Sequence, residues 1–76
     1  MTKQQRFGGY LKKLRNTCDM TLRTVEDETG ISNSYISQIE NGHRNIPRLS
    51  ILRLLAKCYN INLHDIVATI EEIEER

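Results

Sequence analysis

Seventy-six residues are too few for two domains, and 38% hydrophobic with 28% charged residues describes one small globular unit with a small core. The net charge of +1 and pI near 7.8 fall short of a strongly basic polyanion binder, and no apolar run approaches the ~18–20 residues that span a bilayer, so no membrane-spanning helix is expected. Two cysteines, Cys18 and Cys58, form no CxxC pair and have no histidine at a ligand spacing, so no metal site or cofactor is expected and a cytosolic (cytoplasmic) chain with reduced thiols is.

Charge is unevenly spread. Residues 1–60 carry ten Lys/Arg against five Asp/Glu, whereas 61–76 carry one against five, so a polyanion suits the body of the chain and is repelled by its end.

Phe7, Tyr10, Leu11 and Leu14 recur at the i, i+3, i+4, i+7 spacing of a first helix, with Lys12, Lys13 and Arg15 off that stripe. Gly8 and Gly9 inside it each cost about 1 kcal/mol relative to alanine, which implies a close neighbouring backbone or a frayed first turn. After a break at Asn16 to Met20, Thr21 caps a short second helix that turns Leu22 and Val25 inward and stops at Gly30. Ser32 caps a third helix with Ile36 and Ile39 inward, ending at Asn41-Gly42. Gly42 to Pro47 has no apolar period and holds the only proline, so it is an ordered loop. Leu49, Leu52, Leu55, Ala56 and Tyr59 make the apolar face of a fourth helix, widened by Ile51 and Leu54. Asn62 caps a fifth, with Asp65 in its first turn and Ile66, Ile70 and Ile73 as its stripe. No β-type alternation, repeat or linker intervenes. The predicted fold is all-α: five helices in a single domain, 1–76, of which 61–76 is the C-terminal helical segment.

The Gly30-Ile31 joint is too tight for ordinary antiparallel helix packing and suits a helix-turn-helix that presents its second helix outward. At 100° per residue, Asn33, Ser34, Ser37 and Gln38 lie opposite Ile36 and Ile39. Amides that pair with adenine N6 and N7, together with hydroxyls that donate or accept, make a plausible base-reading surface. An ordinary polar helix face is the alternative.

Residue order narrows the choice. Residues 30–42 read GISNSYISQIENG, Leu11 to Arg15 end the first helix, Pro47 follows the third, and Ala56 to Ile66 read AKCYNINLHDI. In these features the chain resembles the phage-repressor and Cro-like (XRE-type) regulators, over residues 7–66. The resemblance implies a phage-repressor-like fold and a sequence-specific, double-stranded DNA-binding transcription regulator that reads the major groove with helix three. It also implies a structural ion pair between Arg15 and Glu40, and a Tyr35 that packs beside the reading face within reach of a phosphate or thymine methyl. Two residues depart from the family pattern: Leu22 replaces a usual glutamine that contacts phosphate, and Glu26 replaces a small alanine between helices two and three.

Candidate phosphate-binding residues are Thr21, Arg23, Tyr35, Asn41, His43, Arg44, Asn45 and Arg48, in helix starts and a polar loop without an evident core task. On this division Gln38 selects a base, whereas Arg44 holds all duplexes alike. A palindrome needs two reading helices about 34–36 Å apart, which implies a homodimer. Ile51, Leu54, Ile66, Ile70 and Ile73 are its candidate interface, against the alternative that helix five packs within one chain. An antitoxin or adaptor that binds a second protein through helices four and five is the rival function. An enzyme is not expected, since no nucleophile, base and orienting residue, paired carboxylates or Gly-rich loop occurs in a recognisable arrangement.

Overall fold

The computed structural model describes residues 1–75; Arg76, which the expected segment 61–76 includes, lies outside them. Helices α1 (Lys3–Thr17), α2 (Leu22–Thr29), α3 (Asn33–Glu40), α4 (Leu49–Cys58) and α5 (Leu63–Glu74) follow in order, with no strand among the described residues. The all-α expectation from apolar periodicity is therefore met.

Helix ends follow local chemistry. α1 starts well before the Phe7 stripe because Thr2 Oγ1 accepts from the Gln5 amide at 3.0 Å while Gln5 Oε1 accepts from the Thr2 amide at 2.9 Å. This reciprocal cap satisfies two amides that the first turn would otherwise leave bare. Thr21 and Ser32 cap α2 and α3 as their sequence positions require, accepting from the amides of Thr24 at 3.1 Å and Tyr35 at 3.3 Å. Gly30, at φ 77°, takes the left-handed conformation that ends α2. Asn62 occupies the cap position of α5, but its side chain makes no capping hydrogen bond, so the expected cap is correct in place and not in mechanism.

Each helix packs against two others. α1 meets α3 and α5, α3 meets α2, α2 meets α4, and α4 meets α5, so the five close into a ring. Phe7, Leu11, Val25, Ile31, Ile36, Ile39, Leu52, Leu55, Ala56, Tyr59, Ile66 and Ile73 fill its interior. Two expectations need correcting here. Leu49 belongs to the apolar period of α4 but is 49% exposed, because it stands at the first residue of that helix, ahead of the residues that reach the core. Ile66 and Ile73, assigned to a dimer interface, are 0% and 8% exposed within one chain. They lie two turns apart on one face of α5, and that face is the one turned onto α1 and α4.

Tyr59 ends α4 with its ring in the core and its hydroxyl buried without a hydrogen-bond partner among the described residues. Burial, reinforced by the nearby Glu40 charge, raises its pKa above the ordinary tyrosine value. An unpaired buried hydroxyl carries a desolvation cost of about 1–3 kcal/mol. Tyr59→Phe is therefore expected to stabilise the fold by about 1 kcal/mol in urea denaturation. A loss of stability would show that the hydroxyl is satisfied after all.

Candidate nucleic-acid interface

The α2–turn–α3 pair is held from behind by α1. Arg15 Nε donates to Glu40 Oε2 at 2.7 Å and Nη2 donates to Glu40 Oε1 at 2.9 Å, a two-pronged pair between the ends of α1 and α3. Its third hydrogen bond, from Nη1 to the Met20 carbonyl at 2.9 Å, ties the same guanidinium to the turn that leads into α2. Both side chains are nearly buried, at 12% and 4% exposure, and the hydrogen bond to Glu40 raises the Arg15 pKa further above its ordinary value. Gly8 completes the brace, since its bare Cα faces the Ile39 and Glu40 carbonyls so closely that a Cβ would overlap both.

With its apolar side chains and its C-terminal end so fixed, α3 turns Ser34 and Gln38 into solvent, while Asn33 and Ser37 stand half-buried at the edge of the same face. The half-burial has named causes. Asn33 Nδ2 donates to Glu26 Oε1 of α2 at 2.7 Å, and Ser37 accepts from Asn41 Nδ2 through its carbonyl at 2.9 Å and its hydroxyl at 3.3 Å. Glu26, the bulky departure between α2 and α3, thus meets an amide of α3. Leu22, the other departure, packs against the core from the first residue of α2.

The candidate phosphate ligands are partly engaged. Thr21 spends its hydroxyl on the α2 cap and Thr24 Oγ1, and Arg23 lies 3.9 Å from Asp27 in an exposed pair worth little. Asn45 Oδ1 accepts from Gln4 Nε2 at 3.4 Å. His43 and Arg48 are exposed. Arg44 does not stand apart in the loop: its Nε donates to Gln38 Oε1 at 2.7 Å and its guanidinium lies 5.4 Å from the centre of the half-buried Tyr35 ring. Sequence periodicity gave no sign of this pairing, because Arg44 lies beyond the helix and returns to it only through the Gly42 turn.

The sequence pattern that defines the helix-turn-helix family matches residues 11–66. The chain belongs to that family. Among its relatives, the transcriptional repressor RghR of Bacillus subtilis is 32% identical over 69 residues, 91% of this chain and 51% of the repressor. The transcriptional regulator DdrOP3 of Deinococcus deserti is 34% identical over 61 residues, 80% of this chain and 46% of its own. This helix-turn-helix chain thus spans about half the length of the curated relatives it matches. Among solved structures, the restriction-modification controller protein C.AhdI of Aeromonas hydrophila superposes with a TM-score of 0.76 at 27% identity, covering 83% of this chain and 90% of that one. The clp gene regulator ClgR of Corynebacterium glutamicum shares the fold, with a TM-score of 0.79 over 95% of this chain and 76% of its own at 18% identity. The curated relatives it matches are named as transcriptional regulators or a transcriptional repressor. No described helix is long and apolar enough to cross a membrane.

Away from this face, Cys58 donates from Sγ to Glu28 Oε2 at 3.2 Å, and burial pushes its thiol up to about 12. A raised thiol pKa favours the folded state fully below the unfolded value, near 8.5, and that contribution is lost as pH rises toward 12. At pH 8, iodoacetamide is expected to alkylate folded Cys58 at least about tenfold more slowly than the denatured chain. Equal rates would contradict the protonated thiol.

Proposed function

We propose that this chain is a sequence-specific, double-stranded DNA-binding transcription regulator that lays α3 in the major groove and acts as a homodimer on an inverted repeat. The observation that carries the reading is the outward polar face of α3 in a helix-turn-helix chain: Ser34 and Gln38 exposed, Asn33 and Ser37 beside them, Ile36 and Ile39 anchored beneath. A helix with its side chains is about 10–12 Å across, which fits the major groove, about 12 Å wide. The first-turn amides of Leu22 and Arg23 have no acceptor within α2 and suit a phosphate, as do Arg48, His43 and the hydroxyl and amide groups of Thr21, Asn41 and Asn45. Tyr35 and Arg44 flank the reading face itself.

One chain, 34 Å in its longest extent, carries one reading helix and so covers one half-site. Of the apolar residues of α4 and α5, Leu54 is 41% exposed and Ile51 and Ile70 are half-buried, which leaves apolar surface for a second copy. An adaptor role through α4 and α5 would draw on the same surface, and Ile66 and Ile73, spent inside the chain, are lost to either kind of partner.

Selection from random duplexes followed by a salt titration tests the reading. An inverted repeat should be recovered, with affinity falling steeply with salt as phosphate-bound counterions are released. Gln38→Ala is expected to relax preference at one base pair per half-site, a loss of about 1–3 kcal/mol of discrimination there, with the other positions unchanged. Failure to enrich any duplex would defeat the proposal.

A further inference from the structure

The two amides on the reading face are each held by an ion on a neighbouring segment, and the ions have opposite sign. Asn33 is bonded to the Glu26 carboxylate at 2.7 Å, and Gln38 to the Arg44 guanidinium at 2.7 Å. A carboxylate only accepts and a guanidinium only donates, so neither amide can be turned over without losing its bond. Asn33 must direct Nδ2 to Glu26, which leaves Oδ1 as its uncommitted acceptor. Gln38 must direct Oε1 to Arg44, which leaves Nε2 as a donor.

We infer that Glu26 and Arg44 are specificity-determining residues that fix Asn33 and Gln38 in opposite polarities, so that α3 asks for a base amino group at one position and for guanine at the other. The inference rests on the reading that α3 enters the major groove. A free glutamine or asparagine offers donor and acceptor together and pairs with adenine N6 and N7. Gln38 keeps that freedom only in part. Its oxygen keeps one lone pair after receiving Arg44 Nε, but the guanidinium charge beside it disfavours an adenine amino group there, whereas guanine presents two acceptors, O6 and N7, to Gln38 Nε2 and the remaining Arg44 donors. Tyr35 keeps Arg44 in place: the guanidinium over its ring is held from a second side, so the unit is more than one solvent-exposed hydrogen bond. Asn33, whose Oδ1 is left as an acceptor beside the Glu26 carboxylate, matches the amino group of adenine or cytosine.

The full chain is tested on the duplexes recovered by selection, using fluorescence anisotropy with guanine or adenine at the pair sensitive to Gln38. Wild type should prefer guanine by about tenfold or more, and 7-deazaguanine, which lacks the N7 acceptor, should lower that preference. Arg44→Ala, at an exposed site where circular dichroism can verify an intact fold, should bring the guanine-to-adenine ratio to about one or tip it toward adenine. Glu26→Gln should relax the amino-group requirement at the Asn33 pair and leave the guanine preference intact. If Arg44→Ala weakens every duplex equally with the ratio unchanged, or if wild type prefers adenine at that pair, the inference is overturned while groove reading by α3 stands. If no duplex is selected at all, the reading on which it rests falls first and the inference with it.

Discussion

Arg15→Ala is expected to destabilise the fold by about 3–5 kcal/mol, enough to leave a chain of this size largely unfolded near 37 °C. Removing the guanidinium strands the Glu40 carboxylate, 4% exposed, with neither of its two charge-assisted hydrogen bonds, and releases the Met20 carbonyl as well. What is lost is chiefly the cost of an uncompensated buried charge, so the pair's net worth is far smaller than the single-site effect. The double variant Arg15→Met with Glu40→Leu is therefore expected to recover most of the stability, because a buried ion pair and an apolar pair of similar volume are often near parity. Arg15→Lys should fall between, since an ammonium cannot make the parallel two-pronged contact. Thermal denaturation of the four proteins decides it: a shift of about 4–8 °C accompanies each kcal/mol at this chain length. An Arg15→Ala variant melting within a few degrees of wild type would mean that the pair is solvated and does not brace α3.

Gly8→Ala should lower stability by about 2 kcal/mol, although alanine is the better helix former by about 1 kcal/mol. The new methyl would lie 2.5 Å from the Glu40 carbonyl oxygen and against that of Ile39. These are backbone atoms at the end of α3, which cannot swing aside as a long side chain can. α3 must instead back away from α1, dragging the Arg15–Glu40 geometry with it. Gly9→Ala is the matched control. Nothing lies within 4 Å of its would-be Cβ, so the substitution should gain about 0.5–1 kcal/mol of helix propensity. Opposite signs at adjacent glycines, read by urea denaturation, would verify the close approach; a stabilising Gly8→Ala would refute it.

Much of the fold was legible because local chemistry set it. Thr21, Ser32 and Gly30 mark helix ends through side-chain and backbone preferences that operate within a few residues, and the Phe7–Leu14 stripe reports its own buried face. The Thr2 and Gln5 cap was equally local and equally readable, yet it lies outside the apolar period that was used to place α1. Leu49 and the isoleucines of α5 were harder, since a count of apolar residues does not say which neighbour covers them. Ile66 and Ile73 counted as surplus only until α1 was laid across α5. At the candidate interface, the outward polar face of α3 followed from angular periodicity, and the Arg15–Glu40 pair from family resemblance. The pairings of Asn33 with Glu26 and Gln38 with Arg44 were not accessible, because each joins a helix to a different segment whose approach depends on the whole packing.

The circular arrangement of the helices gives the molecule no loose link. An open row would have two outer members held along one flank each, free to peel away while the remainder stayed intact. Here α5 is gripped by α1 and α4 alike, so the amides at its buried centre, just after Ile66, should be protected from deuterium exchange to about the same free energy as those at the centre of α1. By the same logic, a fragment ending before α5 would not be a shorter version of this protein but a broken circuit, with the inner flanks of α1 and α4 both laid bare to water.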